Sequence, residues 1–219
     1  MINLFLIINF TFISISSLSF LYLDLKQREV PIILFKSCYI LGIAANFFEF
    51  ILFFDFVIII IFLKIFILLF VFSLSLLLFI LKIIGGAEGK LFIFIFFVHP
   101  ILLLNFTVIF SFFLVFSLFF VLFFMINLTL NKFFRDSSSF ILFFNLNLKL
   151  SILKKVYLRS FYKFFDYSDL SDYIEKKYLI KSLYFVYNYK KNKFQILGQI
   201  RPPLIMFVTL SYYIIFFLK

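Results

Sequence analysis

Asp24 and Glu88 are the two residues of this sequence whose type and setting point to chemistry. Each is a carboxylate beside a membrane-length apolar run, where an ionisable group is costly and is read first as functional. Glu88 lies in Ile83-Ile84-Gly85-Gly86-Ala87-Glu88-Gly89-Lys90, three glycines and a carboxylate inside a chain otherwise dominated here by Phe, Leu, Ile and Val. Gly85, Gly86 and Gly89 let the backbone take φ > 0 or approach another helix closely. Two carboxylates brought together cannot both ionise cheaply, so one keeps its proton. The ionised one can then activate a water while the protonated one polarises a carbonyl, the division of labour of aspartic peptide hydrolysis. No other residue set competes. The one His has no triad partners, and neither a metal-ligand cluster nor a cofactor motif is present in the sequence.

Composition fixes what surrounds them. The chain has 219 residues, 65% of them hydrophobic, with 42 Phe and no Trp, and a mean hydropathy of +1.19. No soluble domain of this length hides so much apolar surface, so the expected class is an all-α polytopic membrane protein. The heavy use of Phe, Ile, Leu, Asn and Lys fits an AT-rich coding sequence and is not read as a stacking platform. Cys38 is the single cysteine, which excludes an internal disulfide and a cysteine-based zinc site.

Six spans are expected. Residues 2–23 form a first apolar run without a basic leader or a small-x-small cleavage site, and so read as a retained helix. A polar loop from Asp24 to Val30 follows, and Pro31 opens a second span to about Phe48. Asn46, Glu49 and Asp55 mark the next turn. The third run, 56–81, carries Lys64, which must snorkel or find a partner if the helix starts near Phe56. From Leu91 the chain stays apolar for 36 residues, too long at about 1.5 Å per residue for one crossing. A bend at His99-Pro100 or Asn105 then divides it into a short fourth helix, starting at the glycines, and a fifth ending near Asn127. Residues 204–218 make a short last span.

Charge orients these elements. Residues 1–127 read as a five-helix bundle carrying both carboxylates, 128–201 as a small basic cytosolic insertion, and 202–219 as the final helix. The insertion holds 14 of the 21 Lys and Arg and five of the ten acids. A short helix over 172–181 and a hairpin joining 183–189 to 194–197 are expected within it. Placing the loops with Lys26, Arg28, Lys82 and Lys90 on the cytosolic side puts both termini outside, in a multi-pass plasma-membrane protein. Asp24 and Glu88 then share the cytosolic face. The basic segment suits anionic lipid and not nucleic acid.

The motifs themselves resemble a known family. Asp24-Leu25-Lys26-Gln27-Arg28-Glu29-Val30-Pro31 is similar to the first motif of the type IV prepilin peptidases, an Asp followed by a basic loop and then Ile/Val-Pro. Gly85-Gly86-Ala87-Glu88-Gly89-Lys90 resembles their Gly-x-Gly-Asp motif, and Arg201-Pro202-Pro203-Leu204 resembles the Pro-rich start of the last helix in the archaeal preflagellin-peptidase branch. The resemblance implies an intramembrane aspartic endopeptidase that removes leaders from prepilin-like or preflagellin-like substrates, with Asp24 and Glu88 catalytic and Lys90 as a supporting cation. The family has Asp where this chain has Glu88. A methylene more displaces the carboxylate by roughly 1 Å unless the backbone compensates, a misplacement that costs on the order of 10²-fold.

Plainer readings stand beside this one. The glycines also suit a tight turn and helix packing, Lys82 and Lys90 suit positive-inside anchors, and His99 before Pro100 suits a helix end. A protein of the same fold whose dyad has lapsed, acting in substrate holding or assembly, is the alternative function. A small transporter would rest on Lys64 alone.

Overall fold

The computed structural model describes residues 2–54, 57–81, 83–133, 137–146, 150–169, 178–189, 192–200 and 202–217. Four of its helices are long and apolar enough to cross a membrane: α1 (Ile2–Gln27), α2 (Ile32–Leu52), α3 (Val57–Ile80) and α5 (Phe106–Phe133). Two more are apolar but short, α4 (Gly86–Val98) and α8 (Leu204–Phe217). The chain is thus a multi-pass helical membrane protein. It divides into two compact units, residues 1–116 with 203–219, and residues 117–202.

The first unit is built around its shortest helix. α4 packs on α1, α2, α3 and α8, and Leu91, Phe92, Phe94, Ile95, Phe96 and Val98 along it are buried. Helices that are apolar all round have no single stripe to bury; shape and aromatic edges sort them instead. Phe92 meets Phe112 and Phe116 edge-on at ring separations of 5.6 and 5.2 Å, and Phe20 meets Phe94 in the same way at 6.1 Å. Such edge-to-face pairs are favoured by the ring quadrupoles. Outward, α2 and α3 show Ile33, Ile58 and Phe62 at 70% exposure or near it, as expected for surfaces that face lipid.

α4 ends where the sequence suggests a bend. His99 closes the helix, Pro100 precedes a single 3-10 turn over Ile101–Leu103, and α5 begins at Phe106 with Asn105 accepting from the Val108 N–H at 2.9 Å. In hydrocarbon, every backbone group freed by such a break needs a partner. Here α2 supplies them. Asn46 donates to the Phe97 carbonyl at 3.1 Å, and the Glu49 carboxylate accepts from the Ile101 N–H at 2.7 Å.

This corrects the expected end of the second span. α2 runs on to Leu52, so Asn46 and Glu49 are helical and buried and do not mark a turn; Asp55 lies outside the described residues. The other Glu49 oxygen takes the Lys64 ammonium at 2.5 Å. Starting α3 at Val57 does place Lys64 two turns inside, and it finds a partner there instead of snorkelling. Lys36, one turn into α2, is exposed.

The second unit starts inside α5, at residue 117. α5 continues to Phe133, past its expected end near Asn127. α6 (Ser137–Leu146) and α7 (Ile152–Phe161) follow, then β1 (Tyr162–Asp166), β2 (Tyr178–Asn188) and β3 (Lys193–Ile200) in the order β1-β3-β2, all antiparallel. The expected hairpin is β2–β3, longer than its apolar patches suggested, closing at the Asn188–Lys193 pair. β1 was not anticipated. Of the helix expected over 172–181, residues 172–177 lie outside the described residues and 178–181 are strand. Phe140, Phe143, Phe144, Tyr162, Phe164, Val186 and Leu197 form the core of this unit. A buried relay spans it: Asn188 donates to Ser139, Ser139 to Gln195, and Gln195 to Asp166, at 2.9, 2.6 and 2.7 Å.

The Glu49–Lys64 pair should be the costliest polar contact to break. Removing one partner leaves an uncompensated buried charge, which typically costs about 3–5 kcal/mol. Lys64→Met should therefore lower stability in a detergent unfolding titration, whereas Lys64→Met combined with Glu49→Gln should recover part of it. Gln keeps an acceptor for the Ile101 N–H without a charge.

Candidate functional site

Glu88 owes its position to the way α4 begins. Gly85 is the N-cap, in extended conformation at φ −93°, so Glu88 is the third helical residue. From there its carboxylate folds back over Gly85, where an added Cβ would stand 2.7 Å from Oε2, beside the backbone N–H groups that the first turn of a helix leaves free. It also places the negative charge at the positive end of the helix.

The three glycines divide their roles. None of them has positive φ, so close approach is what they supply. A Cβ on Gly85 would stand 2.7 Å from Glu88 Oε2, and one on Gly89 would stand 2.8 Å from Ser75 Oγ on α3. A Cβ on Gly86 would meet nothing within 4 Å. Gly89 is thus what lets α4 lie so close on α3. Sequence reading missed Gly42 of α2, where a Cβ would come within 2.9 Å of Val98 and 3.1 Å of Phe97.

Asp24 lies in the last turn of α1, 8% exposed. The helix ends there because Arg28 adopts a left-handed conformation, φ 57°, with its N–H still donating to the Asp24 carbonyl at 2.9 Å. This turns the guanidinium back along the helix, to 4.0 Å from the Asp24 carboxylate. Asp24 and Arg28 both act electrostatically on Glu88, so three charges from two motifs share one neighbourhood, with α1 and α4 in contact. Lys90 does not join them. Its side chain is exposed and, among the described residues, is in no ion pair with Asp24 or Glu88; its carbonyl accepts from Tyr39 at 2.9 Å.

No family model, curated protein or solved structure matches the chain. What the site can do follows from its own residues. Among the described residues no group of three or more His, Cys, Asp or Glu has the arrangement to hold a metal. Two carboxylates and one guanidinium, at the ends of two apolar helices, suit proton transfer.

A pair of glycine variants separates packing from chemistry. Gly89→Ala should loosen α3 against α4 and lower stability, and Ser75→Ala in the same chain should restore most of it by removing the obstructing oxygen. Gly86→Ala should be close to neutral in the same unfolding assay. Equal effects at positions 86 and 89 would contradict this division.

Proposed function

We propose that the chain is an intramembrane aspartic endopeptidase that removes the leader from prepilin-like or preflagellin-like substrates at the cytosolic membrane face. What supports this reading is that α1, with Asp24 in its last turn, packs on α4, with Glu88 in its first turn, two carboxylates 64 positions apart in sequence. One carboxylate holds a proton. The other takes a proton from a water, whose oxygen adds to the scissile carbonyl as the first carboxylic acid protonates the carbonyl oxygen. The tetrahedral diol then collapses, the peptide nitrogen takes a proton from the newly protonated carboxyl, and the C–N bond breaks. The first carboxylate recovers its proton from the diol hydroxyl, so the pair ends as it began. Arg28, beside Asp24, supplies a fixed positive charge to the pair.

A second reading has an observation of its own. The Glu88 carboxylate lies folded over the N-cap Gly85, a structural placement that a longer Glu reaches and a shorter Asp reaches poorly. On that reading the dyad has lapsed and the chain holds substrates or assists assembly. Glu88→Gln separates the two, because Gln has the same reach but cannot titrate. With a co-expressed prepilin-like substrate, Asp24→Asn and Glu88→Gln should each abolish cleavage while thermal stability stays near that of the native protein. Gly85→Ala should leave the fold intact, because the obstructed atom is the end of a flexible side chain, yet displace the carboxylate and cut cleavage by on the order of 10²-fold. Undiminished cleavage by Glu88→Gln would refute the two-carboxylate mechanism; no cleavage by the native chain with several leaders would favour the lapsed reading.

The orientation is part of the same proposal. Both termini lie outside, and the loop after Asp24, the stretch before Gly86 and the basic second unit lie in the cytosol. In a Cys38→Ser background, Phe54→Cys should react with an impermeant thiol reagent added from outside, and Ser151→Cys only after the membrane is opened. Labelling of both from one side would overturn the topology.

A further inference from the structure

Among the described helices, α7 is the one whose two faces differ most, and part of its apolar face is left exposed. Ile152 and Leu153 are 81% and 82% exposed, and Val156 and Tyr157 are about half exposed at 46% and 48%. At 100° per residue these four fall on one arc, which is open over the first two turns and closes at the buried Ser160. Lys154 lies beyond one edge of that arc, and Lys155 and Arg159 lie beyond the other. On the opposite face Leu158 joins the core of the second unit. Lys155 and Arg159 lie between the two faces, over the Phe144 ring at 5.7 and 5.2 Å, which holds these two cations at the rim of the apolar face.

The position of this helix along α5 says what covers it. Asn131, in the last turns of α5, donates to the carbonyls of Arg159 and Tyr162 at 2.6 and 2.9 Å. Phe161 stacks on Phe124 of α5 at 3.8 Å, and Tyr157 lies tilted against Phe161 at 4.5 Å. A helix of 28 residues is about 42 Å long, about 12 Å or eight residues more than the ~30 Å hydrocarbon layer, so its ends reach the headgroups. α7 is bonded to one of these ends through Asn131. The Tyr157, Phe161 and Phe124 rings join it to the span there, where Met125 and Ile126 are also exposed.

We propose that α7 is an interfacial helix: Ile152, Leu153, Val156 and Tyr157 enter the outer acyl region of the bilayer, and Lys154, Lys155 and Arg159 hold anionic lipid headgroups around them. A one-sided apolar face with basic flanks is what such helices use, and their binding combines buried apolar area with attraction to anionic lipid. The role does not depend on the peptidase reading. It fixes the second unit to the membrane surface by a second point besides α5.

The test uses the full chain in a Cys38→Ser background, with a single cysteine placed in turn at 152, 153, 154, 156 and 157 and labelled with an environment-sensitive fluorophore. Ile152, Leu153 and Lys154 are largely exposed and Val156 and Tyr157 about half exposed, and none of the five belongs to the buried core of the second unit. In vesicles of phosphatidylcholine and phosphatidylglycerol, quenching by lipids spin-labelled near the headgroup should follow a helical period, strong at 152, 153, 156 and 157 and weakest at 154. Quenching by aqueous iodide should follow the reverse pattern. Omitting phosphatidylglycerol, or changing Lys154, Lys155 and Arg159 together to Gln, should reduce the lipid quenching at 153. Strong iodide quenching at all five positions would overturn the proposal, as a solvated helix. Protection from iodide without quenching by lipid would also overturn it, because a protein partner would then cover the face. Equal quenching with and without phosphatidylglycerol would overturn the headgroup role of the three cations.

Discussion

The break between α4 and α5 is the constraint on which the first unit depends. A chain that bends within hydrocarbon exposes backbone N–H and C=O groups that neither water nor lipid can satisfy. Asn46 and Glu49 stand one turn apart on α2, and they take up the Phe97 carbonyl and the Ile101 N–H. Glu49 in turn needs a counter-charge, and Lys64 of α3 brings it. Three separate elements are thereby tied at one place by groups that cannot be left unpaired. The geometry of α4, and so of Glu88 at its start, follows from where its other end is held.

The start of α4 depends on a missing side chain: the Glu88 carboxylate folds back over Gly85, which has no Cβ in the way. Arg28, forced into a left-handed turn to end α1, is the third charge of this neighbourhood.

In the second unit the polar groups are settled differently. The relay from Asn188 through Ser139 and Gln195 to Asp166 links α6 to all three strands, and a satisfied buried network of this kind specifies one packing over others. A unit with few hydrophobic layers gains its uniqueness from such bonds. Among its described cations Lys132, Lys154 and Lys193 are exposed, and Lys193 reaches Asp166 at 3.4 Å.

Much of this was legible in the sequence because the bilayer imposes simple rules on it. Apolar run length gave the multi-pass helical class, and the over-long run after Leu91 required a bend, for which the sequence offered His99-Pro100 or Asn105. The hairpin followed from two apolar patches around a polar turn. What the sequence could not decide was which polar residues meet. Glu49 looked like a loop residue because hydropathy treats a buried carboxylate and an exposed one alike, and only a Lys 15 positions away and a free N–H 52 positions away make it a buried one. β1 was hidden because Tyr162–Asp166 is too short to signal a strand until β3 lies beside it. The roles of the glycines were open for the same reason: a missing Cβ acquires meaning only from the atom that would have met it. Sequence determined where the chain is apolar and where it must turn; tertiary structure decided which charges and backbone groups satisfy one another, because pairing depends on distance in space and not along the chain.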